Sequence, residues 1–225
     1  MKALFVAVLT IAVVHQPPSA AVLAGQVPRA VVRAATYGTP ADFAAALAEA
    51  DLSAGFIVED DRAKSDGDYS AAPRSSDRST LGEAIAAFTR YHSGHRVTQR
   101  DDVLIVETER PTICHDALTR PVTNVRLEGT LHHVLDGAFR AVNPAHPPFP
   151  PGLLGGPALE LPRVQVAIAS GPFRDVLNVL AGQVRGFVWV MHLPRPTETG
   201  ERRCGFDYYY RGTGFSTGWR LPLKH

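Results

Sequence analysis

Ser79-Thr80-Leu81-Gly82-Glu83-Ala84-Ile85-Ala86-Ala87-Phe88 sets the architecture of this chain. Thr80 and Glu83 stand three apart ahead of an apolar run. At that spacing a hydroxyl and a carboxylate reciprocally satisfy the free amides of a helix start. Leu81, Ala84, Ile85 and Phe88 follow at i, i+3, i+4 and i+7, so one apolar stripe runs down the helix and must rest on a sheet. The same frame returns in Thr130-Leu131, Val134-Leu135 and Phe139, and in Pro172-Phe173, Val176-Leu177 and Leu180. A looser copy is Pro40, Phe43, Ala46-Leu47 and Ala50. Recurrence on this scale points to small β-α-β binding modules.

Toward the N-terminus, Arg29 to Tyr37 is short and partly β-branched and reads as a first strand. Thr39 caps a helix that begins at Pro40, with Asp42 favouring its positive end, and runs to about Ala50. Phe56-Ile57-Val58 reads as a strand. Glu59 to Ser79 is charged, rich in Ser and Asp, and reads as a loop. The Thr80 helix continues to about His92, and Gly94 ends it. His95 to Thr98 and Val103 to Glu107 then form a hairpin around Arg100-Asp101-Asp102.

Toward the C-terminus, Asn124 to Leu127 leads through Gly129-Thr130 into a helix ending near Val142. Residues 143–160 are a Pro-rich insertion whose stacked prolines favour an extended, polyproline-like course. Arg163 to Ile168 alternates as a strand, Ser170-Gly171-Pro172 caps the last helix, and Gly186 ends it before Phe187 to Met191. Arg203 to Arg211 reads as a final strand with Phe206, Tyr208 and Tyr210 on one side. Residues 212–225 read as a tail.

The address lies at the start. Met1-Lys2 is positive, Ala3 to Val14 is apolar, Pro17-Pro18 breaks the helix, and small residues follow. This is the layout of a signal peptide over residues 1–24, cleaved after Ala20 or Ala24. The apolar run falls short of the roughly 20 residues that span a bilayer, so the expectation is an exported chain with no integral span after cleavage. Of 23 Lys and Arg only Lys2 falls in the leader, leaving 22 basic against 22 acidic side chains. That balance gives no general attraction to nucleic acid. Cys114 and Cys204, bound for an oxidising compartment, leave two readings open: a bridge, or two buried thiols that never meet.

The stretch Ser79 to Phe88, then Gly94-His95-Arg96-Val97, then Asp102 to Val106, resembles the secretin and TonB short N-terminal domain. Its usual phrase is Thr-Leu, two residues, Ala-Leu, a Gly, a strand, and a hairpin ending in Ile-Val; here Ala84-Ile85 stands for Ala-Leu. Pro40 to Leu47 with Gly55 to Val58 resembles the first half of the same domain, so the likeness covers residues 29–109. Residues 122–211 repeat the scheme across a junction at residues 110–121. The pairing also resembles exported bacterial proteins of uncharacterised role that join two such halves. The resemblance implies periplasmic interaction modules that contact partners rather than catalyse. Neither a receptor barrel nor a secretin channel follows within this sequence, so transport is not carried over.

His92 with His95, His115 beside Cys114, and His132 with His133 do not stand where ligands converge within about 2 Å of one ion. Ser170-Gly171-Pro172 lacks the Gly-x-Ser-x-Gly of a nucleophile elbow. Glu59-Asp60-Asp61 with Asp66 and Asp68 fits no twelve-residue calcium loop. No catalytic residue, cofactor or metal is implied. Phe149 within its prolines, and the alternating Phe206, Tyr208 and Tyr210, are the candidate interaction surface. The expected fold is α+β, two related β-α-β modules, each with helices packed on a small mixed sheet. The expected function is a non-catalytic exported binding or adaptor module of the cell envelope that contacts another envelope protein. The alternative is a small envelope hydrolase, for which two or more of His92, His115, His132, Asp136 and Asp207 would have to converge.

Overall fold

The computed structural model describes residues 16–58, 78–109, 113–145, 161–193, 203–211 and 213–222. The apolar leader run, the charged segment over residues 59–77, the Pro-rich stretch over residues 146–160 with Phe149, and residues 194–202 lie outside them.

The chain follows the order α1 (Ala20–Leu23), β1 (Gln26–Pro28), α2 (Arg29–Tyr37), α3 (Pro40–Glu49), β2 (Ala54–Val58), β3 (Arg78–Thr80), α4 (Leu81–Tyr91), β4 (His95–Arg100), β5 (Val103–Thr108) and α5 (Ile113–Leu118). It continues with β6 (Pro121–Thr130), α6 (Leu131–Val142), β7 (Arg163–Pro172), α7 (Phe173–Gln183), β8 (Phe187–His192), β9 (Arg203–Tyr210) and β10 (Thr213–Pro222). The fold is α+β, with a mixed six-stranded sheet in the order β10-β9-β8-β2-β5-β4. β2 runs parallel to both β5 and β8, and the remaining pairs are antiparallel. Instead of a separate small sheet in each segment, β2, β4 and β5 share one sheet with β8 and β9, while β6 and β7, expected in the second segment's sheet, pair apart as a ribbon. No helix among the described residues is long and apolar enough to cross a membrane.

Two apolar layers sandwich the sheet. Phe56, Val58, Leu104, Val106, Val188 and Val190 pack against α2, α3 and α4 on one face. Ile57, Val103, Ile105, Phe187, Trp189 and Met191 meet α5, α6 and α7 on the other. Strands covered on both faces carry continuous apolar runs, as β2, β5 and β8 do. Two short ribbons, β1 with β3 and β6 with β7, complete the structure.

Local chemistry accounts for the helix starts. Thr39 Oγ1 accepts from Asp42 N while the Asp42 carboxylate accepts from Thr39 N, and Thr80 and Glu83 repeat the arrangement. Each such cap contributes about 1 kcal/mol. Thr130 Oγ1 likewise accepts from His133 N. The start of α7 differs from expectation. Ser170 lies within β7, Pro172 occupies the cap position with no side-chain bond, and Phe173 N donates instead to Arg120 O at 2.8 Å. Gly186, at φ +71°, turns the chain into β8 where a Cβ would press on Ala48 O. A side chain there is strained on both counts.

Three further corrections concern strands. Arg29–Tyr37 is a helix, because Val31 and Ala35 are buried at i, i+4 and Ala30 and Ala34 favour that conformation. The strand lies just before it, in β1. The expected loop at Arg78 and Ser79 is the strand β3, paired to Val27 and Pro28. The expected tail is β10, the outer strand of the sheet. Its register shifts between Ser216 and Trp219, so Phe215 opposes Tyr208 and Trp219 opposes Phe206 despite the irregular spacing. Thr217 N donates to Asp207 Oδ1 at 3.2 Å and Trp219 N to Thr217 Oγ1 at 3.0 Å, which holds the bulge closed. A bulge breaks the period-two pattern by which a strand is recognised.

Cys114 on α5 and Cys204 on β9 meet at disulfide distance, with Cα atoms 5.4 Å apart. Both are fully buried.

Candidate functional site

The histidines and acids singled out above separate into four places. His132 and Asp136 stand one turn apart on α6, inside the core. His132 Nδ1 lies 2.9 Å from the Tyr208 hydroxyl, and Asp136 Oδ2 accepts from Arg140 at 2.6 Å. Tyr208 is fully buried and its neighbours nearly so, so this polar string joins helix to sheet within the packed layer. Asp207, on the opposite face of β9, pairs with His192 of β8 at Nε2–Oδ2 2.9 Å, both about one quarter exposed. His92 ends α4, its ring stacked on Phe88 at 4.5 Å between centroids, with His95 edge-on to the same ring at 5.6 Å. His115 lies on α5 beside Cys114. No group of three or more His, Cys, Asp or Glu able to hold a metal is found among the described residues.

The candidate interaction residues Phe206, Tyr208 and Tyr210 do share one face of β9, but that face is core. Phe206 and Tyr208 are fully buried and Tyr210 nearly so. Phe206 stacks on Trp219 and Tyr208 on Phe215. β10 and α6 cover the aromatic row that alternation alone would leave half exposed. Phe149 lies outside the described residues.

Among the described residues, the large aromatics that face solvent are Tyr37 and Tyr91, 67% and 56% exposed. They close α2 and α4, two helices packed against each other, and the Gly38 backbone next to Tyr37 is near enough to the His92 ring next to Tyr91 to favour its proton. Of the two helices, α4 packs on β4, which begins four residues after Tyr91. Sequence periodicity passes over them because each follows the last inward-facing residue of its helix.

β4 is a terminal strand of the sheet. On its α7 face, Arg96 grips Glu107 Oε1 through Nε and Nη2 at 2.9 and 2.7 Å. Arg100 binds Asp175 on α7 at 2.5 Å, and Arg174 Nη1 lies 3.6 Å from Glu107 Oε2. Burial pushes the Arg174 guanidinium below its ordinary value, against the pull of Glu107 and Asp175. Three cations thus share two carboxylates, an arrangement assembled across three elements and invisible to local spacing. At the outer edge, Gln99 N donates to Gln16 O at 2.7 Å and Ser19 N to Gln99 Oε1 at 2.8 Å.

Burial lowers His132 below the ordinary histidine value, with Asp136 opposing and His133 reinforcing. Burial also lowers His92, with His95 reinforcing and the Gly38 backbone opposing. The folded chain therefore binds protons at these rings less readily than the unfolded chain. As pH falls through about 6.5 the unfolded state takes up more protons, and stability declines in that direction. Thermal unfolding followed by circular dichroism should show Tm falling from pH 7.5 to pH 5, with a shallower fall in His132→Gln.

Compared with known proteins, the chain matches no family model, no curated protein and no solved structure.

Proposed function

We propose that this chain is a non-catalytic exported binding or adaptor module of the bacterial cell envelope whose partner is another envelope protein. The observation that carries the reading is the exposure of Tyr37 and Tyr91, which close two helices packed on each other, the second leading into an edge strand. Tyrosine offers large contact area at low ordering cost and is enriched at interface cores, where a few such anchors hold most of the binding energy. Export is supported by the leader-like start and by a cysteine pair at disulfide distance, which belongs to an oxidising compartment. The order of elements supports the likeness to the secretin and TonB short N-terminal domain. β1 and β3 form a ribbon followed by α4 and the β4–β5 hairpin, while β6 and β7 form a ribbon followed by α7, β8 and β9.

The test is the double variant Tyr37→Ala with Tyr91→Ala in the full chain, cross-linked in envelope preparations beside the unaltered chain. Capture of a discrete partner should fall at least tenfold while Tm stays within a degree or two, since neither ring is buried. Equal capture by both chains counts against the reading. Hydrolysis of cell-wall fragments, lost in His192→Ala, would replace it with the hydrolase alternative, for which the His192–Asp207 pair is the available acid–base geometry.

A further inference from the structure

We propose that the outer edge of β4 is a strand-addition site for an extended acidic segment of the partner, running antiparallel to β4, and that Gln16–Ser19 is a placeholder on that edge. The inference rests on the adaptor reading and names the chemistry of its partner.

Three observations lead to it. First, the edge already holds a segment: Gln16 forms an antiparallel bridge with Gln99, closed by the Gln99 N to Gln16 O bond and braced by Ser19 N on Gln99 Oε1. Second, that pairing cannot propagate. Pro17 and Pro18 follow at once, and proline has no N–H to donate. In antiparallel register the residue opposite Val97 would be Pro18. Backbone groups alternate along a strand, so Val97 N–H and C=O point the same way as those of Gln99, away from β5. Among the described residues no strand continues the pairing past Gln99. The chain's own segment thus holds one rung of a ladder that has more, and cleavage after either Ala20 or Ala24 would release it.

Third, the row beside the edge is basic. Arg96, Thr98 and Arg100 alternate on one face of β4, and Arg174 reaches the same group from α7. Glu107 and Asp175 balance two of the three guanidiniums. Arg174 Nε and Thr98 Oγ1 are buried without a hydrogen-bond partner. Residues of an added strand directly opposite Arg96, Thr98 and Arg100 lie on that same face. Carboxylates four residues apart, with a hydroxyl between them, would meet the surplus charge, and an apolar residue would sit opposite Val97. A second copy of this chain fits poorly, because pairing edge to edge brings one arginine row beside another.

The probe is a synthetic peptide centred on Glu-Val-Thr-Val-Glu, titrated into the full chain by fluorescence anisotropy. Two control peptides accompany it, one with Lys for Glu and one N-methylated at the residue opposite Val97. The acidic peptide should bind at least tenfold more tightly than either control, and Val97→Pro should weaken it at least tenfold. Because the Val97 N–H lies outside the β4–β5 ladder, a proline is tolerated there as at other edges, and Tm should hold. If Val97→Pro unfolds, the N-methylated peptide on the unaltered chain makes the same test. Failure of the acidic peptide to bind, or equal binding by the N-methylated one, overturns the proposal. A cross-linked partner captured equally by Val97→Pro would leave the adaptor reading standing and remove the edge from it.

Discussion

Replacing Cys114 and Cys204 together by alanine is expected to lower the unfolding free energy by about 4.5 kcal/mol and Tm by about 10–15 °C. The figure follows from the sequence separation of 90 residues, because a cross-link removes loop-closure freedom from the unfolded chain in proportion to the logarithm of the loop. The loss should also have a local signature. α5 has six residues, too few to persist alone, and it is anchored to the sheet by Ala117, Leu118 and the cysteine pair. Hydrogen exchange should therefore quicken first over Ile113–Leu118. Adding a thiol reductant to the unaltered chain should reproduce the shift, and the same reductant should do nothing to the alanine variant. Equal Tm values for the two chains would mean that the cysteines do not bridge.

A methyl group at Gly55 should be nearly as damaging. Gly55 lies opposite Trp189 in the parallel pairing of β2 with β8, and a Cβ there would collide with the indole at Cζ2 and Cε2. Trp189 is fully buried and has nowhere to retreat. Gly55→Ala is expected to cost about 3 kcal/mol, the upper end of ordinary overpacking. Trp189→Phe removes the atoms that collide and also a buried indole N–H that has no partner. The double variant should therefore be more stable than the sum of the single losses predicts, by at least about 1 kcal/mol in a chemical-denaturation cycle. Strict additivity would mean that β2 and β8 are not in this register.

The same pairing shows where reading the chain residue by residue stops. Thr39 with Asp42, Thr80 with Glu83, and the hairpin turning at Asp101-Asp102 were all legible because the interacting groups stand within a few residues of each other. The apolar frames of α4, α6 and α7 were legible for the same reason. Arg29–Tyr37 misled because two adjacent valines carry a strand preference that the burial of Val31 and Ala35 on a helix outweighs. β10 was missed because its bulge conceals the alternation of Phe215, Trp219 and Leu221.

The site was less legible than the fold. Tyr208 and Phe206 alternate as a surface would, yet the strand beside them and the helix above them bury that face. Arg96, Arg100 and Arg174 come from two elements and make sense only with Glu107 from a strand and Asp175 from a helix turn.

Capping chemistry, helical stripes and one turn followed from the order of residues, since each is fixed by forces acting across a single turn of chain. Folding in three dimensions settled which strands share one sheet, which aromatics are covered, and which strand lies at the end of the sheet. Parallel pairing between distant segments leaves no local mark, and its register is set by the burial of both faces at once.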